Sequence, residues 1–321
     1  MSKSDALLIV KDLSLSFSFE KTLWPALRGV NLTLWPGEIV SLVGESGCGK
    51  SLTGRAILRL PPENTQISGS IYFQGQDLLS LPEVELEGIR GSQMAMIFQE
   101  PMTALNPVLT CGEQVVEVLV KHKHMSVQAA YEKTSHLFSQ VGIPEPERRL
   151  QSYPHQLSGG LRQRVMIAMA LSCDPSLLLA DEPTTALDST MRQQILDLIV
   201  AQSHERGLAV LMISHDLVAV ETFASRVCVM YAGIVVEEAK TSSLFANPIH
   251  PYTQGLLLAS LRNFDAKTKR LPVIPGSVPT LLAMPKGCPF APRCSKAKAI
   301  CQKELPKLRP IDDHFVACHL F

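Results

Sequence analysis

The chain has 321 residues, 46% of them hydrophobic and 19% charged, with 30 basic residues against 30 acidic ones. That length suits about two domains with a large buried core, and the zero formal net charge removes the simplest electrostatic case for a nucleic-acid binder, which shows a basic excess. No uncharged apolar run approaches the ~18–20 residues of a membrane span, and residues 1–5 lack the basic start and apolar core of a secretory signal, so the chain reads as a soluble, intracellular polypeptide.

Residues 7–19 alternate loosely, with Leu13, Leu15, Phe17 and Phe19 on one parity, which predicts a strand. Residues 30–34 predict a second, followed by the turn Trp35-Pro36-Gly37-Glu38. The apolar, β-branched run at 38–43 is a third, and it leads into Gly44-Glu45-Ser46-Gly47-Cys48-Gly49-Lys50-Ser51. Residues 52–60, from Leu52 on, read as a helix stopped by Pro61-Pro62. Further strands are expected at 69–73 and 94–98, the latter ending at Gln99-Glu100-Pro101. From Cys111 to about Ser139 the pattern is helical: Val115, Val118 and Leu119 share a face, and Ala129, Ala130, Lys133 and Leu137 continue it until Gly142-Ile143-Pro144-Glu145-Pro146. Roughly 100–175 therefore reads as a helical insertion. Strand patterns resume at 177–180, 209–213 and 226–230, with helices such as 191–202 between them. Strand–helix alternation implies a parallel sheet wound with helices, and the strand-rich N-terminal part a side sheet beside it. Beyond Asn247-Pro248 prolines become dense (Pro272, Pro275, Pro279, Pro285, Pro289, Pro292, Pro306, Pro310). So loop-rich a segment buries little and needs a staple. Four of the eight cysteines, Cys288, Cys294, Cys301 and Cys318, crowd there; Cys48, Cys111, Cys173 and Cys228 are scattered.

The stretch Gly44–Ser51 fits G-x-x-x-x-G-K-[ST] between a strand and a helix, the phosphate-binding P-loop in its required context. Glycines let successive N–H groups turn onto a phosphate, the helix adds its positive dipole end, Lys50 can reach the β- and γ-phosphates, and the Ser51 hydroxyl can ligate Mg²⁺. Leu177-Leu178-Leu179-Ala180-Asp181-Glu182 is an apolar strand ending in two carboxylates, the Walker B pattern. Asp181 can hold Mg²⁺ through water, and Glu182 can polarise an attacking water as general base. Leu157-Ser158-Gly159-Gly160 before the run 162–171 makes a second anion-ready helix start.

With these motifs in order, the chain resembles the ABC transporter ATPases over about residues 7–245. Leu157-Ser158-Gly159-Gly160 is similar to the signature motif, Gln99 stands at the Q-loop, Ala186-Leu187-Asp188 resembles the D-loop, His215 the switch histidine, and Phe17 the aromatic packed on adenine. Leu161 stands where the wider family usually has glutamine; the peptide-permease branch also has an apolar residue there. The resemblance implies an α/β fold: a P-loop ABC cassette with a parallel sheet core, an antiparallel side sheet and a helical insertion over residues 1–246, plus a Cys-rich C-terminal extension over 247–321. It implies a two-subunit ATP sandwich. Phe17, residues 44–52 and Asp181 bind Mg-ATP, with Ser51, Gln99 and Asp181 around the metal; Glu182, His215, Gln99 and Lys50 carry the chemistry. Ser158, Gly159, Gly160 and Asp188 act on the nucleotide of the partner subunit.

The tail segments Asn247-Pro248-Ile249-His250-Pro251-Tyr252-Thr253, Gly287–Cys294 and Phe315-Val316-Ala317-Cys318-His319 resemble the extension of dipeptide/oligopeptide permease ATPases, which nickel-uptake relatives share in large part. Four thiolates suit zinc or an iron–sulfur cluster alike, and unliganded cysteines are the third reading; the resemblance implies a [4Fe–4S] cluster. His314 and His319 are near enough to substitute as ligands but read as solvated tail histidines. The implied machine is a peptide importer at the cytoplasmic face of the membrane. Its other parts are two permease subunits, a second related ATPase subunit and an extracytoplasmic solute-binding protein, with no nucleic acid. Uptake of nickel or another small solute is the alternative. A DNA-maintenance ATPase is disfavoured by the lack of a long heptad run between Ser51 and Leu157, and a translation ATPase by the presence of one cassette rather than two.

Overall fold

The computed structural model describes residues 6–100, 104–184, 187–260 and 273–321. The expectations that fall on residues 1–5, Pro101, Ala186 and Pro272 lie outside these. The described strands are β1 (Leu8–Phe19), β2 (Thr22–Leu34), β3 (Ile39–Val43), β4 (Thr65–Phe73), β5 (Gln76–Asp77), β6 (Met94–Ile97), β7 (Leu177–Asp181), β8 (Ala209–Ser214), β9 (Arg226–Tyr231), β10 (Ile234–Lys240), β11 (Arg309–Ile311) and β12 (His314–Val316). The chain packs as two units. One takes in the chain up to Leu34, Ile39–Leu79 and everything from Ile213 on; the other takes in Trp35–Glu38 and Ser80–Met212.

In the first unit, β2-β1-β4-β5 form an antiparallel sheet. The single parity read from Leu13 to Phe19 does not run the length of β1. A bulge falls between Val10 and Leu13, with Asp12 at φ 48. It moves burial from Leu8 and Val10 to Leu13 and Leu15, so all four are inside, while Phe19 at the strand end is 65% exposed. One extra residue shifts every later side chain by one position, which is the use of a bulge. The Asp12 N–H is met by Asn31 Oδ1 at 3.0 Å.

This unit also holds sheet strands in the order β11-β12-β10-β9-β3. Strands β3 and β9 are parallel, and all of β3 is buried, as expected of a strand covered on both faces. Strand β10 was not expected from the sequence; it returns antiparallel from β9 through Ala232 and Gly233, both at positive φ, the conformation of a tight hairpin. The helix Pro251–Leu258 was missed too, although Pro251 stands at its first turn, a position proline favours.

His314 corrects the expectation of a solvated tail histidine. It is 2% exposed, and its Nδ1 lies 2.8 Å from Glu237 Oε1. Glu237 is fully buried and also accepts from the N–H groups of Ile249 and His250 at 2.8 and 2.9 Å. A buried carboxylate needs such partners, and these tie the tail to β10. His319 is half-buried, with Nε2 2.9 Å from the Glu304 carbonyl.

His250 is 1% exposed, and its Nδ1 accepts from the Tyr252 N–H at 3.0 Å. Burial pushes its pKa down to about 3. The unfolded chain, with a histidine pKa near ~6.5, therefore binds one more proton than the fold at intermediate pH. Stability from this site is fully present above about pH 6.5 and falls by up to ~1.4 kcal/mol per unit as pH drops toward 3. Urea midpoints measured across that window should fall less steeply for His250→Asn, whose amide oxygen can replace Nδ1 as the capping acceptor. Equal slopes for the two proteins would remove His250 as the cause.

In the second unit, β6 and β7 are parallel and β8 lies beside β7, again as the alternation implied. The helical stretch expected from Cys111 to Ser139 is two helices, Cys111–Lys123 and Val127–Gln140. The first ends at His124 in the left-handed region and the second is capped by Ser126. No glycine or proline marks that break; the Ser126 cap was its sequence signal. Thr110 and Glu113 form a reciprocal capping box at the first helix. Val115, Val116 and Leu119 of one helix and Ala130, Leu137 and Phe138 of the other are buried.

Candidate functional site

The P-loop lies in the first unit. Glycine is demanded at its ends by close approach: a Cβ on Gly44 would stand 2.2 Å from the Met230 carbonyl oxygen, and one on Gly49, at φ +107, 2.9 Å from Leu27 Cδ2. Gly49 is also the N-cap of Lys50–Ile57 and offers no side chain to it, so the first-turn N–H groups receive no side-chain cap. Ser46 and Gly47 are exposed and Ser51 and Leu52 half-buried. Lys50 is 6% exposed, and its Nζ donates to the carbonyls of Gly44 and Glu45 at 2.8 and 3.0 Å. Cys48 is buried beneath the loop, and burial pushes its thiol pKa up, which makes it a packing residue.

The same unit holds Phe17 and His215. Phe17 is half-buried and opposite Trp24 in β2 and Thr65 in β4. His215 follows β8 and is exposed. Its neighbours are fixed: the Asp216 N–H donates to Ser214 Oγ at 3.0 Å, and Asp216 Oδ1 caps Leu217–Phe223 through the Ala219 N–H at 3.1 Å.

The second unit holds the carboxylate pair. Asp181 ends β7 at 2% exposure. Glu182 follows at φ 48, a conformation few non-glycine residues adopt and one concentrated at functional sites. The kink takes Glu182 off the strand, and its Oε2 accepts from Gln99 Nε2 at 3.3 Å. The structure thus brings together two residues that sequence reading had assigned separately.

Ser158 caps the helix Gly159–Leu171, its Oγ accepting from the Leu161 N–H. Ser158 and Gly159 are exposed, and a Cβ on Gly159 would meet nothing within 4 Å. Packing within the chain therefore does not require glycine there. Ser158, Gly160, Leu161, Arg164, Leu187 and Asp188 line one open cavity of about 490 Å³; Asp188 also caps Ser189–Arg206 through the Met191 N–H at 3.0 Å. Sequence reading missed Gln163, which is buried and donates from Nε2 to the Pro183 carbonyl at 2.7 Å, joining the signature helix to the turn after Glu182.

The four tail cysteines are free thiols, as are the other four. Cys288 donates its N–H to the Cys301 carbonyl at 2.8 Å. Burial pushes the Cys288 thiol pKa up to about 11, with Cys301 and Cys318 adding to the shift; that of Cys318 is raised by burial and by Cys294 and Cys301. Among the described residues no group of three or more His, Cys, Asp or Glu is spaced to hold a metal ion. A sequence pattern could not have shown that Arg293, next to Cys294, meets Glu45 of the P-loop through both carboxylate oxygens.

Residues 27–185 match the family model described as ABC transporter, and residues 236–301 match that of the oligopeptide/dipeptide transporter C-terminal region. The chain is 48% identical over 319 residues to a probable peptide ABC transporter ATP-binding protein of Sinorhizobium fredii, covering 98% of this chain and 95% of that protein. It is 48% identical over 304 residues to the oligopeptide transport ATP-binding protein OppD of Escherichia coli, at 95% and 90% coverage. With the dipeptide transport ATP-binding protein DppD of Bacillus subtilis it shares 46% over 319 residues, at 98% and 95%. Among solved structures it is similar to the ATP-binding cassette MJ0796, a dimer bound to ADP and Pi, with a TM-score of 0.67 and 31% identity over 73% of this chain and 98% of that one. Motif order, fold and full-length similarity agree: the chain belongs to the ATP-binding subunits of ABC transporters, in the oligopeptide/dipeptide branch.

Proposed function

We propose that this chain is the ATP-hydrolysing subunit of an importer that drives uptake of di- and oligopeptides. The carrying observation is that one chain matches both the ABC transporter model and the oligopeptide/dipeptide C-terminal model; proteins named for oligopeptide and dipeptide transport align with it over nearly their full length. Residues 1–246 form the cassette and 247–321 the extension. No described helix is long and apolar enough to cross a membrane. In the proposed machine this subunit works peripherally at the cytoplasmic face, on two permease subunits. A related second ATPase subunit completes the pair, and an extracytoplasmic binding protein delivers the peptide.

Phe17 stacks on adenine, and Gly44 to Leu52 cradle the triphosphate with Lys50 on the β- and γ-oxygens. Ser51, Gln99 and Asp181 hold Mg²⁺, which neutralises phosphate charge; the buried carboxylate of Asp181 suits that cation. Glu182 takes the proton of the attacking water, with Gln99 orienting its carboxylate, and His215 contacts the γ-phosphate. Ser158, Gly159, Gly160 and Asp188 close over the nucleotide of the partner subunit. The open space around Gly159 supports that role, since bare backbone is useful where an anion arrives from outside.

The four tail thiols hold a [4Fe–4S] cluster as a structural staple. The thiols of Cys288, Cys294, Cys301 and Cys318, gathered in one loop-rich segment, would supply its donor set. Bound there, the cluster would supply iron–thiolate bonds that tie the segment together. The test is purification from membranes without oxygen. Expected are co-purifying membrane chains and a brown protein with roughly four irons per chain. Recovery with ribosomes or DNA in place of membrane chains would overturn the importer reading, and a colourless, iron-free protein would overturn the cluster.

A further inference from the structure

The second P-loop residue, Glu45, is held from two sides by the C-terminal part of its own unit. Its carboxylate is forked by Arg293, with Nη1 to Oε2 at 2.6 Å and Nη2 to Oε1 at 3.0 Å. The Arg293 side chain is 4% exposed. Its remaining donors are also used: Nε on the Pro275 carbonyl at 2.8 Å, Nη2 on the Ile274 carbonyl at 3.2 Å and Nη1 on the Tyr231 hydroxyl at 3.3 Å. All five N–H groups of a guanidinium thus find acceptors. The Glu45 N–H donates to the Tyr252 hydroxyl at 2.9 Å. Tyr252 is fully buried, packed on Tyr231 and Phe290 with ring centroids 4.6 and 5.3 Å away. The Glu45 carbonyl in turn accepts from Lys50, so Arg293 and Tyr252 fix the residue on which the P-loop lysine rests.

A carboxylate in this loop is an electrostatic problem. It sits in a loop that receives a polyanion, and like charges a few ångströms apart repel even in a high dielectric. A buried, bidentate arginine answers it by cancelling the charge and pinning its position. We infer that Arg293 is a positioning residue for nucleotide binding: it masks and pins Glu45, so the C-terminal segment sets the affinity of the P-loop for ATP. The inference rests on reading Gly44–Ser51 as the ATP site. It separates from a purely mechanical role because the cost of losing Arg293 should depend on the charge of Glu45.

The test measures Mg-ATP affinity with a fluorescent ATP analogue at low salt, and KM and kcat in the membrane assembly. The proteins are wild type, Arg293→Met, Arg293→Lys, Glu45→Gln, the double variant Glu45→Gln/Arg293→Met, and Lys50→Ala as control. Arg293→Met should bind about tenfold more weakly, ~1.4 kcal/mol, with KM raised to match and kcat within about twofold. Arg293→Lys keeps the charge without the fork and should fall between. Removing the naked carboxylate in the double variant should restore affinity to within about threefold of wild type. A folded Arg293→Met with wild-type affinity, or a double variant as weak as Arg293→Met, would overturn the inference. Should Arg293→Met fail to fold, Arg293→Lys with wild-type affinity and KM overturns it. Wild type that binds while Lys50→Ala does not leaves the P-loop reading standing whatever Arg293 does; wild type that binds no ATP removes both.

Discussion

Glu182→Gln should bind Mg-ATP as wild type does and turn it over about 10²–10⁴ times more slowly, the range for loss of a general base. The side chains are nearly the same size, and glutamine still offers an oxygen to Gln99 Nε2, which lies 3.3 Å from Glu182 Oε2. What disappears is the ability to take a proton from water. The backbone at φ 48 is set by the chain around it, so the substitution leaves the kink in place. Parallel measurements of nucleotide affinity and phosphate release separate the two effects. Near-normal release would take Glu182 out of the role, and lost affinity would make it a binding residue instead.

Lys50→Ala should weaken nucleotide affinity by about 10–100-fold, the worth of one or two charge-assisted hydrogen bonds. Turnover should fall further, because the charge this ammonium opposes is redistributed as the γ-phosphoryl leaves. The protein should stay folded. Of the carbonyls that Lys50 meets, that of Glu45 is in a part-buried contact and that of Gly44 in a buried one, and water entering the space the side chain leaves can replace the ammonium. Equilibrium binding with a fluorescent ATP analogue, with a melting curve as the folding control, decides it. Unchanged affinity in a folded variant would contradict the assignment of the P-loop lysine.

The parts of this fold that were legible have strong local causes. Strand β3 is followed by Gly44, where packing leaves no room for a side chain, and such glycines at fixed spacing are what a motif records. Strand β7 is apolar throughout and ends in a buried aspartate, a contrast that also survives in sequence. What stayed hidden depends on distant partners. The bulge at Asp12 exists because Asn31, nineteen residues on, meets its freed N–H. Strand β10 carries Glu237, whose burial makes sense only beside His314 and the N–H groups of 249 and 250. By composition alone His314 looked solvated, since an unpaired histidine in a proline-rich tail belongs in water. The Gln99–Glu182 and Glu45–Arg293 contacts join residues 83 and 248 positions apart, and no periodicity reaches that far.

The most direct measurement is ATP turnover by the purified assembly in proteoliposomes, with its binding protein, in the presence and absence of di- and oligopeptides. Turnover should rise several-fold with peptide, and the rise should vanish when this chain carries Glu182→Gln. Turnover indifferent to every peptide tried but stimulated by nucleic acid, ribosomes or nickel would contradict a peptide importer.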